Sequence, residues 1–506
     1  MAKLNDMKIL HKIFGTTPGD GNLQPKEAIA YSIAGFGQNF ICTIIGSYLT
    51  VFMTDALLFG SADVMVGGVS GAMAVAFLML GTRIYDACND PIMGSIVDRT
   101  RTKWGKCRPY LKWMPIPIAV MTILCFCPFL EPKATSTFAI ISVVYVIWSM
   151  VYTVVDVPYW GLSTCMTNNT TIRGNVLTVA RLLSTLGAGI VTVGVPIITS
   201  AVTNKYKGAD GAVLPQFIDA NANTLKWTYF ICALVFTAIA IPMFYYGFRN
   251  TKERFTSTEN PPSLGHNLKL LFKNRELLLV VLSGILGGAR MVYTYTGGLY
   301  FAKYVLKEEG LYSLITLLVV PGGAVASILV PWMTKKFTKK WAYIGVHVLG
   351  AVVMFAMYFI GYDANWKLVV CAIGLVLLGI PQGVNNIVTY AMIGDTVEYL
   401  EWKTGERAEG ICFAMQTFIN KIGMAVGAFI GVFSYSWAGI DPTRSSGFIP
   451  GMEQEGPTLL WNVLVLSGAL SMVGTIIPML FYRLTEKRQR ELVKEIEERK
   501  AKKAAK

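Results

Sequence analysis

The chain has 506 residues, of which 53% are hydrophobic and only 15% are charged. Soluble domains usually contain about a quarter charged residues, so this composition excludes an ordinary soluble domain and indicates an integral membrane protein. The net charge of +14 does not indicate a nucleic-acid partner, because the basic residues are concentrated in loops between apolar runs.

Twelve apolar runs follow one another along the chain. A helix that crosses a bilayer needs roughly 20 mainly apolar residues, and the runs are long enough. Barrel strands, in contrast, alternate in and out over about 10 residues. The sequence therefore predicts an all-α membrane protein of about twelve transmembrane helices, at residues 27–55, 64–90, 113–131, 137–166, 174–203, 225–248, 277–306, 311–334, 341–361, 368–395, 409–437 and 459–483.

The most basic loops all lie on one side of this arrangement. They follow the second, sixth and eighth helices, around residues 99–112, 249–275 and 335–340. Because Lys and Arg are enriched in cytoplasmic loops, this side is predicted to be cytoplasmic, with both termini on it. The lysine-interrupted N-terminus lacks the apolar core of a cleavable signal peptide. We expect a multi-pass protein of the cell's inner (plasma) membrane.

The longest polar interruption, residues 248–276, divides the helices into six and six. In each half the second helix runs into a basic loop, a weak internal repeat typical of carriers built from two related halves that bind substrate between them. The predicted organisation is a cytoplasmic N-terminal segment (1–26), a six-helix bundle (27–248), a central cytoplasmic loop (249–276), a second six-helix bundle (277–483) and a basic cytoplasmic tail (484–506).

Few ionisable residues fall inside the predicted helices. Each costs roughly 2.5–3.5 kcal/mol on insertion scales, so such residues normally face the bundle interior with a partner. Three acids and four bases nearly balance, as mutual pairing requires. They are Arg83, Asp86, Asp90, Asp156, Arg181, Arg290 and Lys421, and we assign no role to Arg290.

The segment RIYDACNDP places Asp86, Asn89 and Asp90 on one face of the second helix. Two carboxylates one turn apart repel each other unless a cation or a shared proton lies between them. With the amide oxygen, they suit a site for Na⁺ or H⁺. Alternatively, the acids pair with Arg83 or mark the helix end before Pro91.

The segment YTVVDVPYW places Asp156 and Trp160 on one face of the fourth helix. A carboxylate accepts hydrogen bonds from sugar hydroxyls, and an aromatic ring covers the apolar face of a sugar, so the pair suits a sugar site. The alternative is an interfacial tryptophan and an acid paired with an arginine.

Two bases accompany these acids. Arg181 lies in the fifth helix, and Lys421 in the eleventh belongs to the polar segment QTFINK with Gln416, Thr417 and Asn420. Each base can neutralise one of the acids, or it can donate to substrate hydroxyls or to a substrate anion.

Three segments resemble the glycoside–pentoside–hexuronide:cation symporters of the major facilitator superfamily. They are RIYDACNDPIMGSIVDRTRTKWGKCRPY, YTVVDVPYWGL and GDTVEYLEWKTGERAEGICFAMQTFINK. The resemblance extends from about residue 27 to 485, and the pattern is similar to that of melibiose carriers. It implies import of a sugar or glycoside, coupled to Na⁺ or H⁺, by alternating access. We expect a monomer with no cofactor besides the coupling cation.

The resemblance also implies functional residues. The family's cation site corresponds to Asp86, Asn89, Asp90 and Thr153, where Na⁺ is a candidate ion. Its sugar site corresponds to Asp156, Trp160, Arg181, Gln416, Thr417 and Lys421, and we add Asn420 from the same polar segment. Its cytoplasmic gate corresponds to Asp395, Glu398 and Arg407.

The first helix departs from the family pattern. Gln38 and Asn39 stand where melibiose carriers have a Lys-Asp pair that binds sugar. Amides both donate and accept hydrogen bonds, so both residues remain candidates for substrate binding, but the same sugars are not implied. With one acid fewer beside Arg181 and Lys421, an acidic sugar such as a uronide becomes a candidate alongside neutral sugars.

Two other classes of function remain open from the sequence. A carrier of an amphipathic lipid or a drug-like molecule would keep the fold but would have a wide apolar cavity. The other class is a membrane enzyme or a sugar receptor. The sequence has three histidines, no H-E-x-x-H and no G-x-S-x-G, so we find no nucleophile–base set and expect no enzyme.

Overall fold

The structure is a computed structural model. It describes residues 11, 13–14, 16, 23–167, 170–208, 213–255, 264–294, 296–406, 409–444 and 446–504. By their internal contacts the described residues form two units, the first within 1–71 and 89–261, and the second within 72–88 and 262–506. The division falls inside one long helix, whose first part belongs to the second unit.

The first unit begins with helix α1, Pro25–Val51, which continues as a π-helix over Phe52–Ala56. Pro25 suits the first helical position because its fixed φ is already helical and its missing N–H has no intrahelical partner there. The later helices are α2 (Gly71–Arg99, in this unit from Asn89), α3 (Arg108–Trp113), α4 (Pro115–Cys125), α5 (Thr135–Met166), α6 (Thr170–Thr203) and α7 (Ile218–Asn250), with 3-10 turns at Asn204–Tyr206 and Pro215–Phe217.

The second unit contains the remaining helices. Its first long helical segment consists of several elements. Helix α9 (Arg275–Leu286) is followed by a 3-10 stretch, Gly287–Thr294. Helix α10 (Thr296–Tyr300) and a π-helix, Phe301–Val305, come next. The others are α8 (Leu264–Lys273), α11 (Leu311–Ile360), α12 (Asn365–Thr404), α13 (Glu409–Trp437), α14 (Glu455–Leu480) and α15 (Glu486–Ala504).

Among the described residues, ten helices are long and apolar enough to cross a membrane, and α4 is a shorter apolar helix. Helix α11 covers both the eighth and the ninth predicted runs, and its only interruption among its described residues is Thr338, with φ 64° and ψ 157°. A β-branched residue rarely adopts a positive φ, so Thr338 marks a sharp break between two helical segments. The predicted all-α fold is confirmed.

Helix α2 begins later than predicted. Residues 64–70 were expected to be helical, but Met65–Val66 and Val69–Ser70 pair as two short antiparallel strands, β1 and β2. Gly67 and Gly68 between them adopt φ values of 58° and 86°, which a two-residue hairpin turn requires. An apolar run alone does not distinguish this hairpin from a helix.

Other boundaries also differ from the prediction: α2 continues past Pro91 to Arg99, α7 begins at Ile218 rather than at 225, and α12 ends at Thr404 rather than at 395. The third apolar run ends as a helix at Cys125 rather than at 131, three residues before Pro128. The predicted central loop contains helix α8, and the predicted tail contains helix α15. The tail helix buries Leu492 and Ile496, so it belongs to the packed structure of the second unit.

Each unit has a core that fixes its helices. In the first, the rings of Tyr31 and Tyr159 stack with centroids 4.7 Å apart, and Tyr159 Oη donates to the Tyr31 carbonyl at 3.1 Å. In the second, a Cβ atom on Gly322 of α11 would lie 1.8 Å from the carbonyl oxygen of Val376 on α12. Small residues permit such close backbone approach where lipid provides no hydrophobic driving force between helices.

Candidate functional site

The first unit contains a cluster of polar side chains around Asp156. One carboxylate oxygen, Oδ1, accepts hydrogen bonds from Gln38 Nε2 at 2.5 Å, Trp160 Nε1 at 3.1 Å and Tyr152 Oη at 3.4 Å. Tyr152, Asp156 and Trp160 are successive i, i+4 positions on α5, so they share one helix face. Gln38 joins them from α1, and both it and Asp156 are buried.

Arg181 adds a cation to this cluster by packing against the Trp160 ring. The guanidinium carbon of Arg181 on α6 lies 5.1 Å from the ring centroid, within the range of a cation–π contact. Trp160 also packs edge-on against Tyr159, with ring centroids 4.9 Å apart. Because Tyr159 is fixed by Tyr31, the ring is held in place and presents a rigid aromatic surface.

Asn39 is placed differently from its neighbour Gln38. Its Nδ2 atom donates to the Gly35 carbonyl of the same helix at 3.0 Å, whereas Gln38 reaches Asp156. Sequence reasoning missed this distinction and also missed Tyr152. The signal for Tyr152 was present, since it precedes Asp156 by four residues.

The second unit contains a buried ion pair inside its predicted membrane helices. Lys421 Nζ of α13 lies 3.1 Å from Asp86 Oδ2 of α2, and their side chains are 9% and 1% exposed. Pairing Lys421 with one of the acids was one of the alternatives left open by the sequence. One turn earlier on α13, Gln416 Nε2 donates to Asn420 Oδ1 at 3.3 Å. Thr417 is half-buried on the same helix.

The remaining candidate cation ligands lie in the first unit. Asn89 and Asp90 follow Asp86 on α2 and are half-buried. Thr153 on α5 is fully buried, and its hydroxyl donates to the Ser149 carbonyl at 3.2 Å. A hydroxyl that donates its proton in this way presents its oxygen as an acceptor, the kind of atom that a cation binds.

The candidate gate residues bind partners that the sequence did not identify. Asp395 on α12 accepts from Lys339 Nζ at 2.7 and 2.5 Å. Glu398, one turn further, accepts from Gln489 Nε2 of α15 at 2.6 Å. Arg407 lies outside the described residues. Lys339 follows the break at Thr338, so the bend in α11 positions this ion pair.

Arg290 lies in the 3-10 stretch that breaks the first long helix of the second unit. Its Nη1 atom donates to the Gly287 carbonyl at 2.7 Å. A Cβ atom on Gly287 would come within 2.5 Å of that nitrogen, so glycine is needed for the side chain to fold back. The contact gives Arg290 a local structural role, and we place it in neither candidate site.

Long apolar helices with charged side chains buried among them are typical of a multi-pass membrane protein. The fold is similar to that of the nucleoside transporter NupG (TM-score 0.58, 13% identity, covering 90% of this chain and 100% of that one). It is also similar to a D-xylose-proton symporter (TM-score 0.55, 12% identity, covering 89% and 96%). These likenesses show the major facilitator fold alone.

The chain belongs to the MFS/sugar transport protein family, whose model matches residues 30–486. It is 27% identical to the glucuronide carrier protein homolog of Escherichia coli (strain K12), covering 94% of this chain and 96% of that one. It is 28% identical to the isoprimeverose transporter of Lactiplantibacillus pentosus, covering 81% and 80%, and 25% identical to the putative sulfoquinovose importer of Escherichia coli (strain K12), covering 96% of both. The predicted family resemblance is confirmed.

Proposed function

We propose that the protein imports a sugar or glycoside together with a monovalent cation by alternating access. The observation that carries the proposal is the buried Asp156 carboxylate, on which three hydrogen-bond donors converge beside an aromatic ring. The names of the relatives support it, because each cargo they give is a sugar or glycoside.

The Asp156 cluster has the chemistry that a sugar needs. Gln38 and Tyr152 donate hydrogen bonds to the carboxylate, and sugar hydroxyls can take their places as donors to it. Hydrogen bonds to a charged group are worth roughly 1.5–3 kcal/mol each. The Trp160 ring then covers the apolar C–H face of the sugar, and Arg181 is available for a hydroxyl or an anionic substituent.

The coupling cation, Na⁺ or H⁺, binds the acids of α2 in this proposal. Lys421 neutralises Asp86 in the structure, as a bound cation would. A cation at Asp86, Asn89 and Asp90, with Thr153, replaces the lysine as counter-charge and frees its ammonium group for the substrate. By linkage, sugar that binds the freed site raises the affinity for the cation by the same factor.

The cargo is a neutral sugar or an acidic one. Two relatives are named for cargoes that bear an anionic group, a glucuronide and sulfoquinovose, and Arg181 is the base beside the sugar cluster. Competition by a uronide and by its parent neutral sugar distinguishes the two. An acidic cargo is supported if the uronide competes better than the neutral sugar in wild type and loses this advantage in Asn39→Asp or Arg181→Gln. It is excluded if the neutral sugar competes better in wild type and in both variants.

The proposed orientation in the membrane follows from the basic residues of the loops. The protein acts as a monomer in the inner (plasma) membrane with both termini in the cytoplasm. The pair Asp395–Lys339 and the bond from Gln489 to Glu398, with Arg407, then belong to the cytoplasmic gate. These contacts break as the site opens inward.

Uptake into membrane vesicles tests the proposal. A screen of labelled sugars and glycosides, with and without an inward Na⁺ gradient, identifies the cargo, and Asp156→Asn is expected to abolish its uptake. Asp363→Asn is the matched control, because Asp363 is an exposed loop acid with 71% of its side-chain surface accessible. Uptake of an amphipathic dye but of no sugar would favour the lipid or drug carrier instead.

A further inference from the structure

Two thiols and a carboxylate meet in the first unit, apart from both sites described above. The ligand atoms of Cys107, Cys165 and Glu253 all lie within 4.8 Å of one another. Both cysteines are only 1% exposed, and Glu253 is half-buried. Cys107 precedes α3, Cys165 is in the last turn of α5, and Glu253 follows α7, so three segments distant in sequence supply one ligand each.

The backbone fixes the carboxylate in this cluster. Glu253 Oε1 accepts from the N–H groups of Cys107 and Arg108 at 2.8 and 2.7 Å, and Oε2 accepts from that of Lys106 at 2.9 Å. Gly105 has φ 107°, and a Cβ atom there would lie 2.3 Å from the Glu253 carboxyl carbon. The loop therefore leaves space for the carboxylate at the one residue that has no side chain.

Backbone hydrogen bonds also hold the segment that carries the second cysteine. The carbonyl oxygen of Cys165 accepts from Arg254 N at 2.8 Å and from Phe255 N at 3.0 Å. Arg254 in turn forms a bidentate ion pair with Glu27 of α1, at 2.8 and 2.9 Å. The residues beside Glu253 thus tie the end of α5 to the start of α1, and the three ligands have little freedom to separate.

We propose that Cys107, Cys165 and Glu253 form a binding site for a thiophilic divalent cation of the Zn²⁺ class. Thiolate and carboxylate ligands together suit such ions, whereas Mg²⁺ and Ca²⁺ select oxygen alone. With Zn–S bonds of about 2.3 Å, tetrahedral coordination places two sulfurs about 3.8 Å apart. The ligand atoms already lie within 4.8 Å of one another, so small side-chain shifts bring the sulfurs to this spacing, and water would complete the coordination.

Binding of such a cation releases the protons of the thiols. Metals bind the thiolate, so Cys107 and Cys165 must both be deprotonated when the site fills. The bound ion would then cross-link the start of α3, the end of α5 and the segment after α7, which stabilises the first unit.

The test uses the purified, reduced full-length protein and Cd²⁺ as the probe. Cd²⁺ is expected to produce a thiolate-to-metal charge-transfer band in the ultraviolet, to raise the melting temperature, and to be displaced by Zn²⁺. Cys107→Ser and Cys165→Ser should each abolish the band, and Glu253→Gln should weaken binding at least tenfold. Cys232→Ser is the matched control, because Cys232 is a buried thiol of the same unit outside the cluster.

A second measurement needs only the wild-type protein, so it does not depend on the folding of the variants. Cd²⁺ should protect Cys107 and Cys165 from alkylation during partial denaturation, as read by peptide mass spectrometry, while Cys232 stays reactive. The proposal is overturned if wild type shows no band, if the band survives in Cys107→Ser, or if other cysteines are the protected ones.

Discussion

Asp86→Asn changes one charge of the buried ion pair in the second unit and leaves the shape of the side chain almost unaltered. The variant removes the carboxylate that lies 3.1 Å from Lys421 Nζ, and the Lys421 side chain is only 9% exposed. Removing one partner of a buried pair costs about 3–5 kcal/mol. At about 2–4 °C per kcal/mol for a unit of this size, we expect the melting temperature to fall by roughly 6–20 °C.

The double variant Asp86→Asn/Lys421→Gln separates the charge effect from the loss of packing. It has no buried charge at this position, so much of the lost stability should return, since well-packed neutral replacements of buried pairs are often tolerated. The two single variants and the double variant form a double-mutant cycle, and their effects should not add. Lys367→Gln is the control, because Lys367 pairs with an exposed loop acid.

The assay is thermal unfolding of detergent-solubilised protein, followed by uptake in vesicles. Lys421→Gln should also destabilise, and the double variant should be more stable than either single variant. None of the three should accumulate sugar against a gradient, because each lacks a group that the cation or the sugar needs. Additive losses of stability in the double variant would refute the reasoning, since they would mean that the two charges do not stabilise each other.

Three further predictions concern single side chains. Asp156→Asn should weaken sugar binding at least tenfold in equilibrium binding assays, because it removes the charge from hydrogen bonds worth roughly 1.5–3 kcal/mol each; unchanged affinity would place the sugar elsewhere. Trp160→Ala should weaken binding more than Trp160→Tyr, since a smaller ring still covers part of the sugar; equal effects would exclude stacking. Lys339→Ala should lower the melting temperature by leaving Asp395 buried and unneutralised, and Lys339→Ala/Asp395→Asn should recover part of the loss; a double variant less stable than the single one would contradict the pairing.

The features predicted well from the sequence depend on local spacing. Long apolar runs identified the spanning helices, because the bilayer requires about 20 such residues whatever the neighbours are. The i, i+4 spacing likewise placed Asp156 and Trp160 on one face. The hairpin at 65–70 was missed because it lies in an uncharged apolar run, although Gly67 and Gly68 are the local signal for a two-residue turn.

The contacts that complete the clusters are remote in sequence. Gln38 and Asp156 are 118 residues apart, and Lys339 and Asp395 are 56 apart. No periodicity relates such positions, so only the packing of helices against one another brings them together. The kinds of side chain in the clusters could therefore be predicted from the sequence, as could Lys421 as one candidate partner for the acids. The pairings themselves could not.

The central claim is that a cation gradient drives sugar uptake, and reconstituted proteoliposomes test it most directly. Wild-type protein and Asp90→Asn are supplied with the labelled sugar identified by the vesicle screen, under an inward Na⁺ gradient, an inward H⁺ gradient or neither. We predict that wild type accumulates sugar above the external concentration with one of the two gradients only, and that Asp90→Asn exchanges sugar between pools without accumulating it. Accumulation by Asp90→Asn, or a wild-type protein that only equilibrates sugar under every gradient, would contradict the account.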